Sequence, residues 1–201
     1  MEEKNYVITI ARQFGSLGRK IGKRLASELD INYYDRDLIE KATEQMNGSI
    51  GELSKYDESI GGKLSKMLYP LGLGQANTHK KIYEFQKSMI KNIASHESCV
   101  IIGRCSDYIL KDHPNAIHIF IHAPYEKRLE NSVKQLGLDP VYAEKMIRDV
   151  DRAREIYHKF YTGEDFDTIA NRNICIDSSL MSIDDTVKCL KQIVEIHFGL
   201  S

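Results

Sequence analysis

Five short, continuous apolar runs, separated by stretches of helical periodicity, constrain this chain more than any other feature. They are YVITI (6–10), INYY (31–34), CVII (99–102), AIHIFIH (116–122) and NICI (173–176). Uninterrupted runs of this length mark strands buried on both faces, as happens where helices cover a sheet on two sides. Between them, Ile21, Leu25 and Leu29 fall on one helix face, and Ile82, Phe85, Met89 and Ile93 form a second stripe over 78–97. The last helix has Ser182 as N-cap, Asp184 and Asp185 in its first turn, and Ile183, Val187, Leu190 and Val194 as its stripe. Strand alternating with helix predicts a parallel sheet in a three-layer α/β fold.

At 201 residues the chain suits a single domain over 1–201 with one substantial insertion. A net charge of −1 argues against a broad nucleic-acid-binding face. The first residues are charged and the apolar run after them is short, so neither a secretory leader nor a membrane span is expected. Cys99, Cys105, Cys175 and Cys189 form no C-x-x-C pair. Cys99 and Cys175 in apolar runs and Cys189 on an apolar helix face read as small core residues of a cytoplasmic protein. The stretch NGSIGELSKYDESIGGKLSKMLYPLGLGQAN (47–77) breaks the rhythm. It reads as an irregular or partly helical excursion that covers a ligand, forms a homodimer contact, or is a plain surface insertion.

The segment VITIARQFGSLGRKIGKRLA (7–26) runs from strand through a glycine-bearing turn into a basic amphipathic helix. Gly15 and Gly18 permit close approach of a phosphate, and amides at a helix N-terminus point at the anion. Arg12, Arg19, Lys20, Lys23 and Arg24 add positive charge, and Ser16 a hydroxyl. The usual phosphate-loop pattern G-x-x-x-x-G-K-[ST] is not matched. In one register Leu17 takes a glycine position and Gly18 the lysine position; in the other, Arg19 takes the lysine position and Lys20 that of the hydroxyl. On this motif alone, phosphate binding and an ordinary strand-turn-helix stand level.

Three further stretches carry candidate site residues, the first two read as lying at the same rim of the sheet and the third as a helix. In YYDRDL (33–38), Asp35 either caps the helix starting near Arg36 or faces a substrate beside it. In IIGRC (101–105), Gly103 turns the chain and Arg104 clamps a phosphate, stacks on a base, or makes a structural salt bridge. In IRDVDRAREIY (147–157), Arg148, Arg152 and Arg154 alternate with Asp149 and Asp151. Pairs of Asp149 with Arg152 and Asp151 with Arg154 would stabilise a solvated helix; the same arginines would neutralise charge during phosphoryl transfer.

Taken together, ITIARQFGSLGRKIGKRLA, YYDRDLI, CVIIGRCSDYIL, IFIHAPYEKRLE, IRDVDRAREIYHKFYTG and NICIDSSLMSIDDTV resemble, in order, the cytidylate kinase-like branch of the P-loop nucleoside monophosphate kinases. The resemblance implies a five-stranded parallel sheet with the third strand between the second and the first. The insertion at about 47–98 reads as largely helical or irregular, where cytidylate kinases carry a small sheet, and the region at about 137–163 reads as a lid-like helical one. ATP phosphates would lie on Arg12, Gly15, Ser16 and Gly18, with Arg19, Lys20, Arg152 and Arg154 as catalytic cations and Mg2+ as cofactor. Asp35, Arg36, Arg104 and Arg148 would hold the acceptor, CMP-like or another small molecule. In-line transfer of the γ-phosphoryl group needs positioning and charge neutralisation, so no general base is assigned. Leu17 stands where related loops carry glycine, and Cys105 where cytidylate kinases follow Gly-Arg with aspartate. A catalytically inactive phosphate-ligand sensor on the same fold is the alternative.

His118 and His122 share a strand face with Phe120 but lie too far apart along it to chelate one metal, and no metal ligand is assigned. Tyr157 and Tyr161 read as packing residues that, with Phe160, could close over a ligand. FYTGEDFD (160–167) leads back to the fifth strand, turning at Gly163.

Overall fold

The computed structural model describes residues 5–37 and 76–200, with side chains of the second helix described from Lys80. Strands β1 (Val7–Arg12), β2 (Asn32–Tyr34), β3 (Cys99–Ile102), β4 (Ala116–His122) and β5 (Ile174–Asp177) form one sheet in the order β2-β3-β1-β4-β5. Every pairing is parallel, with Ile10 opposite Ile102 on one side and Ile119 on the other. The helices are α1 (Gly18–Glu28), α2 (Ala76–His96), α3 (Ser106–Ile109), α4 (Tyr125–Lys134), α5 (Pro140–Thr162) and α6 (Ile183–Phe198), with a 3-10 turn at Ile169–Asn171. The expected strand order holds. Much of the expected insertion, residues 47–75, lies outside the described residues.

Strand alternation divides the core into layers. Ile8, Ile10, Val100, Ile102, Ile117, Ile119 and Ile121 point toward α1 and α6, where they meet Ile21, Leu25, Val187, Leu190 and Val194. Val7, Cys99 and Ile101 point the other way, against Met89, Ile90 and Ala94 of α2 and Ile109 of α3. A third cluster seats Phe14, from the turn after β1, on Met146, Ile147 and Val150 of α5. Ser182 caps α6 through the Asp185 amide at 3.1 Å, as the sequence predicts. Helix α5 begins with Asp139 accepting from the Val141 and Tyr142 amides, followed by Pro140, and ends at Gly163 in the left-handed region.

Three expectations need correction. Cys175 is exposed, because β5 is an edge strand and only Ile174 and Ile176 turn to the α1–α6 layer. The buried face of α2 is centred on Tyr83, Gln86, Ile90 and Ala94 rather than on Ile82, Phe85 and Ile93, which are partly exposed. The rotation brings Gln86 inward to accept from the Tyr157 hydroxyl at 3.3 Å. On α5, Asp151 does pair with Arg154 at 3.4 Å, but Arg152 turns to Glu155 and Asp149 lies beside Arg148.

His118 is buried on β4 with Nδ1 2.7 Å from the Thr9 hydroxyl oxygen. Burial, and then nearby His113, lower its affinity for a proton below the usual value of 6.5. Between the folded and unfolded values the unfolded chain binds more protons, so stability falls as pH drops below 6.5 and levels off once folded His118 is protonated. Thermal melts at about pH 7.5 and about pH 5.5 should show a smaller acid loss for His118→Gln than for the wild type.

Candidate phosphate-binding site

The turn after β1 is fixed by its carbonyls. The Arg12 carbonyl accepts from Arg154 Nη1 at 2.9 Å, that of Gln13 from the Ser16 hydroxyl at 2.9 Å, and that of Phe14 from Arg128 Nη1 at 3.3 Å. The Gly15 carbonyl accepts from Asn131 Nδ2 at 3.0 Å, that of Ser16 from the Ser178 hydroxyl at 2.8 Å, and that of Leu17 from the Ile21 amide at 3.0 Å. The Gln13 amide donates to Ile121, and the Phe14 amide donates to Asp151 Oδ1 at 2.7 Å. Among the described residues, the amides of Gly15 through Lys20 meet no acceptor. A turn with its carbonyls tied back and its amides unspent, opening a helix, is an anion-binding geometry. The helix supplies no competing anion: its first turn holds no acidic residue and its N-cap, Leu17, makes no side-chain cap.

Leu17 carries the turn into α1 at φ 59°, the left-handed region that favours glycine. The conformation thus survives the loss of the glycine that usually provides it. Gly15 is held against α4, where an added Cβ would lie 2.5 Å from the Arg128 carbonyl oxygen.

Beside this loop a cavity is lined by Arg12, Arg19, Arg36, Arg104 and Arg154, with Asp37, Asp107, Gly103, Tyr157 and His158 among its other walls. Gly103, Arg104 and Cys105 are consecutive left-handed residues, with φ of 74°, 55° and 54°, a bend that turns the chain from β3 into α3. The Arg104 guanidinium lies 5.3 Å from the centre of the Tyr157 ring, so Tyr157 packs and also positions a cation. Burial lowers the proton affinity of Arg104, opposed by Tyr157. Burial pushes Arg154 down to about 10, with Asp151 pulling it up and Arg19 and Arg36 pushing it down further. Concentrating this much positive charge is unfavourable in an apolar wall, and an anion in the cavity offsets it.

The other expected site residues divide. Arg19 lines the cavity and pairs with Asp35 at 3.4 Å and Asp37 at 3.6 Å. Asp35 also accepts the Asp37 amide at 3.1 Å, so it caps and holds an arginine at once. Lys20 turns to α4, donating to the backbone and side-chain oxygens of Gln135 at 3.1 and 3.2 Å. Arg148 and Arg152 line a second cavity with Gln13, Tyr125 and Arg128; Arg148 is not beside Asp35, Arg36 and Arg104, nor Arg152 beside Arg19 and Arg154 in the arginine cavity, as their expected acceptor and catalytic roles would have them. Phe160 is exposed. Residue spacing did not reveal Arg128 and Asp151 as partners: Asp151 joins Arg128 at 2.5 Å, Arg154 and the Phe14 amide. Nor did it reveal buried Asp107, which pairs with Arg172 and has His158 Nε2 3.7 Å away.

The parallel order and the loop define a P-loop kinase-like α/β protein. Its sequence matches the model of the cytidylate kinase-like family over residues 7–180, and the chain belongs to that family. Among solved structures it is similar to an uncharacterized protein from Eubacterium ventriosum ATCC 27560 (24% identity, 95% of this chain and 99% of that one, TM-score 0.73). It is also similar to shikimate kinase from Acinetobacter baumannii in complex with shikimate (12% identity, 99% and 97%, TM-score 0.54). The gluconokinase from Sinorhizobium meliloti 1021 aligns at 13% identity over all of both chains, with a TM-score of 0.52. At these identities the likenesses show the fold. A search of curated proteins gave no match. Among the described residues no helix is long and apolar enough to cross a membrane.

Proposed function

We propose that the protein is a cytoplasmic phosphotransferase that moves the γ-phosphoryl group of ATP to a small anionic acceptor, a nucleoside monophosphate of the CMP type in the first instance. The observation that carries this reading is the loop with its carbonyls engaged and its amides unspent, bordering a cavity lined by five arginines. The loop amides would bind donor phosphates, while Arg104, Arg154, Arg36 and Arg19 would hold the acceptor and neutralise charge on the phosphoryl group in flight. The loop does not fit a direct magnesium ligand. In neither register does a hydroxyl follow the lysine position: Arg19, paired with Asp35 and Asp37, or Lys20, engaged with Gln135, stands there, and among the described residues no cluster of three His, Cys, Asp or Glu side chains forms. No step is therefore assigned to a protein-bound metal.

That missing hydroxyl favours a second reading, a sensor that binds a phosphorylated ligand without turnover. Calorimetric titration with ATP, with and without magnesium, followed by ATP consumption over a panel of acceptors headed by CMP, separates the two. Binding with acceptor-dependent turnover is expected. Binding without turnover would establish the sensor, and no binding would overturn both.

A further inference from the structure

Gly18 and Arg12 are coupled across the phosphate loop. A Cβ on Gly18 would lie 2.7 Å from Arg12 Cβ and 3.1 Å from Arg12 Cγ, so the arginine stem fills the space that a side chain at 18 would need. At the far end of the same side chain, a Cβ on Gly103 would lie 2.5 Å from Arg12 Nη1. Two glycines on separate elements thus form a seat for one arginine. The left-handed Leu17 favours the register in which it occupies the second glycine position of G-x-x-x-x-G-K. Counting back in that register, Gly18 takes the lysine position and Arg12 that of the first glycine.

We infer that the loop cation has changed places: the positive charge that a phosphate loop carries on its lysine is supplied here by Arg12, and Gly18 is glycine to make room for it. The ligand of Arg12 is a phosphate oxygen of the nucleotide's terminal phosphates. The inference rests on the reading of the loop as phosphate-binding.

Three observations support it beyond the seat itself. The Arg12 side chain makes no hydrogen bond and no ion pair among the described residues, although it lines the cavity. Asp35, the carboxylate nearest in influence, already pairs with Arg19 and caps the Asp37 amide. Burial, followed by repulsion from Arg154 and Arg19, lowers the proton affinity of Arg12 well below its ordinary value, so the apo site holds this charge against its surroundings. The planar fork of arginine suits bidentate contact with a phosphate.

The test uses inorganic tripolyphosphate, which offers the phosphates without a nucleoside, in calorimetric titrations accompanied by thermal melts. Arg12→Met keeps most of the stem and removes the charge; it should weaken tripolyphosphate binding by about tenfold or more without lowering the apo melting temperature. Gly18→Lys should lower the melting temperature, because its side chain meets the Arg12 stem. The double variant Arg12→Gly/Gly18→Lys restores the usual arrangement and should recover both stability and affinity relative to its single variants. If Arg12→Met binds tripolyphosphate as the wild type does, or if the double variant is no better than the worse single one, the exchange is overturned while the phosphate loop stands. If the wild type itself does not bind tripolyphosphate, the phosphate-binding reading and the inference fall together.

Discussion

Replacing Asp151 by alanine is expected to lower stability by about 3 kcal/mol and to loosen the turn after β1 at the same time. The carboxylate joins three groups: Arg128 at 2.5 Å, Arg154 at 3.4 Å and the Phe14 amide at 2.7 Å. Both guanidiniums and the carboxylate are largely withdrawn from water, with side-chain exposures of 12, 15 and 17%. Removing the anion therefore strands two cations and an amide, which is more damaging than losing a surface pair. The Phe14 amide loses its bond to α5 outright, and the two arginines that hold the Phe14 and Arg12 carbonyls lose the carboxylate that orients them. Asp151→Asn keeps an acceptor for the Phe14 amide and should fall between wild type and alanine. Thermal melts and hydrogen exchange at the amides of 14–18 measure the two effects. Wild-type exchange and melting in the alanine variant would show that this contact does not fix the loop.

The second large effect is expected at Asp107. Its carboxylate and the Arg172 guanidinium pair in a nearly dry setting, with exposures of 5 and 3%, and Arg172 further donates to the Phe166 carbonyl at 3.3 Å. Asp107→Ala leaves Arg172 buried beside His158 with no carboxylate, and a loss of about 3–5 kcal/mol in urea unfolding is expected. Asp107→Leu combined with Arg172→Met should recover most of that, since it is the uncompensated charge that destabilises rather than the absence of the pair. A double variant as unstable as the single would place the defect in packing instead. Asp107 lies on α3, three residues after Arg104, and lines the same cavity, so the alanine variant should also disturb it.

Much of the architecture was legible from local chemistry. Continuous apolar runs located all five strands to within a residue or two, and Ser182 with Asp184 and Asp185 announced α6. These signals are short-range: a run buried on both faces, or a hydroxyl accepting an amide three residues on, is written into neighbouring positions. Cys175 misled because its run is apolar while its strand lies at the sheet edge, and edge position is a property of strand order. Gln86 was invisible for a like reason: its partner, Tyr157, lies 71 residues away in sequence.

The site divides along the same line. Sequence by itself determined a glycine-bearing turn between strand and helix, the rim residues Asp35 and Arg104, and an arginine-rich helix, because each depends on residues adjacent in the chain. Only the tertiary structure decided which arginines meet. It sent Arg154 to the cavity and Arg148 and Arg152 elsewhere, turned Lys20 to Gln135, and placed Asp151 on the Phe14 amide. It also showed that Gly18 and Gly103 enclose one arginine stem and its head. Charges attract across space without regard to sequence distance, and the space left by an absent Cβ is defined by whatever the fold brings against it.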